Sequence, residues 1–306
     1  MFAAIRDATL FQAGFDSLCA VLAALGLPDV EIALTRDLRL PALDHSLEQS
    51  LSVASPAEAE QAAAAYRQTG VRPCALFVAN NFNAPNPQAE VAHVVRAVQV
   101  AEAMAVPVVR LDGAMSGADR LPRRRRVALY VRAVEQVLES TPASTVTLAI
   151  ENHGRQGNDL PWLQEVLADL PASRIGLALD PANLYWAGYP ATQVYGTIEA
   201  LASRVLHVHA KNLRYPTAVR ERRRPAGWEY GCCVCPLAEG DVDYARVGSL
   251  LARAGYRGAV AIEDESLAKY PPAQRPVLLQ RAVHYLWASL PASCETNGTE
   301  EASKRE

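Results

Sequence analysis

Four short apolar runs in this chain each end on a polar residue that can bind a cation. Glu151 follows Val146-Thr147-Leu148-Ala149-Ile150, and Asp180 follows Ile175-Gly176-Leu177-Ala178-Leu179. His209 closes Val205-Leu206-His207-Val208-His209, and Glu263 follows Ala259-Val260-Ala261-Ile262. The gaps between these four residues are 29, 29 and 54. A strand plus its crossover helix takes roughly 30 residues. The first two gaps are therefore one βα unit each, and the third is one unit plus an insertion. Such a repeat restricts the chain to a parallel sheet whose strands end on one side. Three carboxylates and an imidazole then project from that side, a mixed oxygen and nitrogen set suited to a divalent metal. A carboxylate just after an apolar run can also cap the next helix. Three of them, joined by a histidine on a fourth strand, are better explained by a shared site.

The same alternation runs through the rest of the chain. Val30–Leu34, Cys74–Ala79 and Val106–Leu111 read as further strands, which makes seven. Phe2–Arg6 is the best candidate for a missing first strand, followed by a helix through Ser17–Leu25. Helical periods cover Pro56–Gln68, with Gly70 as a stop signal, then Gln88–Met104, Arg123–Leu138, Leu160–Leu170, Val194–Leu201 and Tyr244–Ala254. Eight βα repeats in 306 residues point to the α/β class and to a closed (β/α)8 TIM barrel over residues 1–290. The polar stretch 291–306 has no apolar period and is expected to be a disordered tail. An insertion, Asn212 to Gly240, separates the seventh strand from its helix. It holds Arg220, Arg222, Arg223, Arg224, Trp228 and Tyr230. Its place on the side where the strands end predicts a lid or a substrate contact; the other reading is a surface for a second subunit, a homo-oligomer.

Composition excludes several classes. Hydrophobic residues make up 50% of the chain, enough for a large core. The net charge of −3 gives no electrostatic reason to expect nucleic acid or an anionic membrane. The arginine run Arg123–Arg126 reads as a solvated face or a subunit contact. No apolar run reaches the length of a membrane span. Arg6 and Asp7 interrupt the first apolar stretch, so no signal peptide is expected and a cytoplasmic location is. Cys232, Cys233 and Cys235 do not form a C-x-x-C pair; they read as free thiols in a loop of a reducing compartment, with a soft-metal or redox role as the other reading. The sequon at Asn297 is discounted for the same reason.

Strand parity sorts the remaining candidates. Glu151 and His153 share a parity, as do His207, His209 and Lys211, so each set points to one face if its strand runs that far. His209 stands nearer the strand end and is the better ligand; His207 lies one layer deeper, where a hydrogen-bonded core role is expected. Lys211 can reach a substrate oxygen or carry a proton. Asn152 and Asn183 are candidates to bind substrate hydroxyls or orient ligands. Asn81, Asn83, Arg110 and Asp112 stand near earlier strand ends, and Glu31 lies inside its strand, where a structural hydrogen bond is expected.

At these residues the chain resembles the sugar phosphate isomerase/epimerase superfamily, the xylose isomerase-like TIM barrels. The matching pieces are Ile150-Glu151-Asn152-His153, Gly176–Asn183, His207–Asn212, Glu239–Asp243 and Gly255–Glu263, and the resemblance covers about Val30 to Trp287. It implies one divalent metal, manganese first, with magnesium, cobalt or zinc as alternatives. It implies that Glu151, Asp180, His209 and Glu263 match the ligand positions, and that Glu151 and Glu263 also flank the substrate and move protons, with Lys211 as a further catalytic group. His153, Asn183 and Asn152 would then face the substrate. Many relatives carry histidine where Asn183 stands, a departure at the substrate side. The activity implied is isomerisation or epimerisation of a small sugar, keto-polyol or hydroxy-keto acid through an enediolate. A lyase or dehydratase acting on a keto-inositol or 3-keto-glycoside shares the same motifs, and a non-catalytic sugar-binding subunit is the alternative from another class. The superfamily's apurinic-site endonucleases need extra histidines from earlier strands, where this chain has asparagines, Arg110 and Asp112.

Overall fold

The two faces of the strands carry different residues. Ile32, Leu76, Val109, Ile150, Leu177 and Val208 lie on one parity and join the large core beneath the helices. On the other parity Ala4, Ala75, Ala149, Ala178 and Ala261 form two small clusters of their own. A sheet with one bulky and one small face can roll up with the small face inside. The computed structural model, which describes residues 1–44, 50–113 and 116–291, shows that closure. Its eight parallel barrel strands are β1 (Phe2–Arg6), β2 (Asp29–Leu34), β3 (Arg72–Val78), β4 (Val108–Asp112), β5 (Thr147–Glu151), β6 (Ile175–Leu179), β7 (Val205–Ala210) and β8 (Ala259–Ile262). Each pairs with its neighbours in sequence, and β1 pairs with β8 to shut the barrel. This is the TIM barrel expected from the repeat. The expected tail lies outside the described residues beyond its first, Pro291.

Helices α1 (Leu18–Leu25), α2 (Pro56–Thr69), α3 (Pro87–Ala103), α4 (Arg123–Ser140), α5 (Leu160–Asp169), α6 (Ala191–Leu201), α7 (Tyr244–Arg253) and α8 (Arg275–Ser289) follow the strands in turn. Their ends follow local chemistry. Ser55 and Glu58 form a capping box at the start of α2, and Gly70 ends it with φ of 76°. None of the described helices is long and apolar enough to cross a membrane.

Several boundaries differ from the sequence reading by one to three residues, and two of them bear on the site. β3 begins at Arg72 rather than Cys74, despite Pro73. A register shift between Val30 and Glu31 of β2 skips Cys74 and absorbs the irregularity. β5 stops at Glu151, so the shared parity of Glu151 and His153 does not carry His153 inward; it precedes the short helix Gly154–Gly157.

Asp7 ties the ends of β1 and β2 together. Its Oδ1 accepts from the Ala8 amide at 2.6 Å and its Oδ2 from the Ala33 amide at 2.7 Å. Burial pushes its carboxyl up from 3.8 to about 6, although these amides and Arg6 pull it down. A carboxyl that holds its proton more tightly when folded contributes stability below its unfolded pKa, and that stability is lost as pH rises through its folded pKa. Between pH 4 and pH 7 the wild type should therefore lose about 2 kcal/mol of stability relative to Asp7→Asn. Urea denaturation of both proteins across that range reads the difference, and parallel curves would show that Asp7 does not titrate this way.

Candidate metal centre

Barrel closure brings the four strand-end residues to one point. One ligand atom from each of Glu151, Asp180, His209 and Glu263 lies within 4.8 Å of every other, and all four side chains are buried. His209 Nδ1 stands 3.4 Å from Glu151 Oε1 and 3.6 Å from Glu263 Oε2 yet makes no hydrogen bond. Asp180 divides its work. Its Oδ1 accepts from the Asn183 amide at 2.9 Å and caps the helix Pro181–Trp186. Its Oδ2 makes no hydrogen bond, although Lys211 Nζ stands 3.2 Å away. Two buried polar atoms without hydrogen-bond partners, converging with two glutamate oxygens, fit a divalent cation. The set of three oxygens and one nitrogen is chemically suited to it.

Each glutamate keeps its second oxygen on an arginine. Arg110 from β4 pairs with Glu151 Oε2, and Arg6 from β1 pairs with Glu263 Oε1. The two guanidiniums stack on the Phe77 ring, 3.8 Å and 4.1 Å from its centroid. Asn183 Nδ2 donates to Glu151 Oε1 at 2.9 Å. Lys211 Nζ lies 3.1 Å from Glu263 Oε2 and 2.7 Å from Glu265 Oε1. Burial raises the Glu263 carboxyl, but Lys211, His209 and Arg6 outweigh it and hold the group well below the usual carboxylate range. Burial pushes the Asp180 carboxyl up more than Lys211 pulls it down, and Glu263 adds to the rise. Burial disfavours the charged form of Lys211, yet Asp180, Glu263 and Glu265 more than reverse this and keep it protonated.

The remaining candidates lie further out or serve the backbone. His153 sits at the rim, its side chain 47% exposed, with Nδ1 3.0 Å from Asp112 Oδ1. Asn152, expected to face substrate, is buried and occupied. Its Oδ1 accepts from the Asp180 amide at 2.7 Å, and its Nδ2 donates to the Asp180 carbonyl at 2.8 Å and to Asn158 Oδ1 at 3.1 Å. It clips β5 to the end of β6 and so positions Asp180. His207 is not among the four converging residues; with Glu31 it lies against the far side of His209. Sequence reasoning missed Arg6, Glu265 and Tyr230 as members of the site. Arg6 ends β1 as Glu151 ends β5, and Glu265 shares the parity of Glu263; those were the available signals.

The insertion differs in detail from a lid of free arginines. Arg224 is buried over the rings of Tyr185 and Tyr215, and it donates to the carbonyls of Val219, Tyr185 and Tyr189. Arg220 pairs with Asp241, Arg223 stacks on Tyr189, and Trp228 packs on Tyr215. These side chains seat the insertion. The insertion residue that contacts the charged cluster is Tyr230, whose hydroxyl donates to Glu265 Oε2. All five described cysteines are free thiols.

The seat depends on Gly188. Its φ is 91°, its carbonyl accepts from the Arg224 amide at 3.0 Å, and a Cβ there would collide with the Arg224 carbonyl. Gly255 has a similar φ of 86° with open space around it. Gly255→Ala should cost about 1 kcal/mol from backbone strain alone, and Gly188→Ala about 3 kcal/mol or more. Equal losses in chemical denaturation would show that the insertion is not held this way. For the ligand cluster, Glu151→Gln, Asp180→Asn and His209→Ala should each weaken binding of a divalent metal at least about tenfold. Elemental analysis after dialysis checks this, and undiminished metal in all three would remove the site.

Comparison with known proteins agrees with the geometry. A family model described as xylose isomerase-like TIM barrel matches residues 19–285. Among solved structures, the chain is similar to the IolI protein with a bound zinc atom: TM-score 0.70 and 16% identity over 95% of this chain and 100% of that one. It is also similar to D-psicose 3-epimerase with D-tagatose from Clostridium cellulolyticum H10, with TM-score 0.64 and 14% identity over 95% and 100% of the two chains. A probable 3-DHS dehydratase, AsbF, from Bacillus anthracis gives TM-score 0.62 and 14% identity over 91% and 99%. At these identities the likeness speaks for the fold. No curated protein matches the chain by sequence.

Proposed function

This chain belongs to the xylose isomerase-like TIM barrel family, and on that premise we propose that it is a metal-dependent isomerase or epimerase of a small sugar, keto-polyol or hydroxy-keto acid. The observation that carries this reading is the pair Glu151 and Glu263. Each has one oxygen in the four-residue cluster and the other on an arginine. A divalent ion held by Glu151, Asp180, His209 and Glu263 would act as a Lewis acid toward a substrate carbonyl and its neighbouring hydroxyl. Manganese is the leading candidate because three of the four donors are carboxylates.

The protein's own groups do the rest. Glu263 is held ionised by Lys211, His209 and Arg6 against the effect of its burial; it is therefore in the unprotonated form that a base requires to take a proton from the carbon beside the carbonyl, while the same cations weaken its basicity. A proton is then returned on the other side of that carbon by Glu151, which has to enter the cycle protonated, or by Lys211, which already carries one. The arginine on each glutamate fixes the carboxylate plane, so neither base has to be ordered at the moment of reaction. Lys211, kept protonated, donates to a substrate oxygen rather than acting as a base. Asn183 orients Glu151 through the 2.9 Å bond to its Oε1. His153 and Asp112 offer polar groups to the far end of a substrate at the rim. Tyr230 brings the insertion against the same charged cluster, where it excludes water. The free thiols support a cytoplasmic location.

The test is solvent exchange. With the correct ketose or keto-polyol and metal present, the enzyme should wash deuterium from solvent into the carbon beside the carbonyl. Glu263→Gln and Glu151→Gln should each lower turnover by about 10²-fold or more. Mass spectrometry of recovered substrate and product reads the label. Product that keeps its original hydrogen would overturn proton transfer by the glutamates. Loss of a substituent from the next carbon would make the enzyme a lyase. Binding with no exchange for any substrate would leave a sugar-binding subunit.

A further inference from the structure

Below the four-residue cluster lies a second buried group that the reaction does not use. Glu31 of β2 and His207 of β7 are 0% and 1% exposed and sit against the inner side of His209. Glu31 Oε2 is 2.7 Å from His209 Nε2 and 3.3 Å from His207 Nε2. A carboxylate only accepts, so His209 Nε2 carries the hydrogen in this contact. That leaves His209 Nδ1, the nitrogen facing Glu151 and Glu263, with its lone pair free. An imidazole whose outer nitrogen is hydrogen-bonded to a carboxylate is fixed in ring orientation and is a better electron donor at the inner one.

We infer that Glu31 is a positioning residue for the metal centre: it locks His209 in the Nε2–H form and turns Nδ1 toward the ion. The inference rests on the metal reading of the four-residue cluster. His207 Nε2 stands 3.3 Å from the same Glu31 oxygen without hydrogen-bonding to it, so the short contact from Glu31 goes to His209. The alanines Ala178 and Ala261, paired in register with His207 and His209, leave the barrel floor open for these rings. A different use of the same atoms is also defined by the geometry. Glu31, His207 and His209 each offer a ligand atom within 4.8 Å of the others, so a second cation there is the competing outcome.

Glu31→Gln keeps the shape but presents an amide, which can donate to Nε2 and drive the proton to Nδ1. Zinc affinity, measured by competition with a chelator, should fall about 10- to 100-fold. Histidine-labelled protein loaded with zinc should show the His209 proton on Nε2 by nitrogen NMR, and in Glu31→Gln the Nδ1–H form should appear. A purely structural Glu31 would lower the melting temperature of this variant and leave both readouts unchanged, which would overturn the inference. If Glu31→Gln does not fold, the wild-type spectrum still decides, because a proton on Nδ1 contradicts the assignment. Two zinc equivalents per chain, one of them lost in His207→Gln, would mean that Glu31 is a ligand and not a positioning residue. If the protein binds no zinc or manganese, the metal reading fails on its own. The tautomer of the metal-free protein at about pH 9 then reports separately whether Glu31 sets His209.

Discussion

A carboxylate leaves water only if something else takes over its solvation, and the interior of this barrel removes four of them. Glu31, Glu151, Asp180 and Glu263 are all buried. The penalty for an uncompensated buried ion is several kcal/mol even after relaxation, so the surroundings are dictated by these four groups. Arg110 and Arg6 each take one glutamate, Lys211 stands between Asp180 and Glu263, and two histidines share Glu31. Attraction at such distances is about 4 kcal/mol at an effective dielectric of 20, which offsets part of the desolvation of each pair. It does not remove the repulsion among three carboxylates that converge within 4.8 Å. Burial is the main cause of the upward push on Asp180, and repulsion from Glu263 adds to it. A divalent cation bound there would relieve this repulsion and would add to the stability of the fold.

The same constraint explains the alanine lining. A barrel interior normally filled by branched apolar side chains has no room for arginine or histidine rings. Here Ala149 lies in register with Arg110, Ala178 with His207 and Ala261 with His209. Small neighbours let the large polar side chains lie flat inside while the opposite parity keeps the bulky core against the helices. Because each charged group is touched by more than one partner, its position is over-determined. The proton transfer proposed for this site would gain from that rigidity.

Much of this was legible in the sequence, and the reason is geometric. A βα unit has a nearly fixed length, so residues at equal spacing share a position on the barrel, and Glu151, Asp180 and His209 could be placed together without coordinates. The first strand was faint because no helix of full length stands directly behind it; Asp7–Gln12 is a six-residue helix. Glu31 was legible as a structural residue but its partner was not, since β2 and β7 are far apart in sequence and meet only across the barrel. His153 was misplaced because parity holds only while the strand lasts, and β5 ends at Glu151. Asn152 was read as a substrate contact or as a residue that orients a ligand, and its bonds to the Asp180 backbone fit the second; an asparagine beside a glutamate looks the same in sequence in either case. Tyr230 gave no signal, since an irregular insertion has no period that fixes which of its side chains turns inward.

Closure of the barrel is itself part of the site. Arg6 and Glu263 are separated by nearly the whole chain, yet they pair because Ile5 lies in register with Ile262 at the seam between β1 and β8. Arg6 stacks on the same Phe77 ring as Arg110, which holds Glu151. One aromatic ring on β3 thus joins the cation at the start of the chain to the cation in its middle, and through them the two glutamates expected to work on opposite sides of a substrate carbon. Loosening the seam would release Arg6, leave Glu263 with one fewer compensating charge, and alter its basicity before any strand had unfolded. The seam that completes the fold and the electrostatics that prepare the base are therefore one structure, and selection on either acts on both.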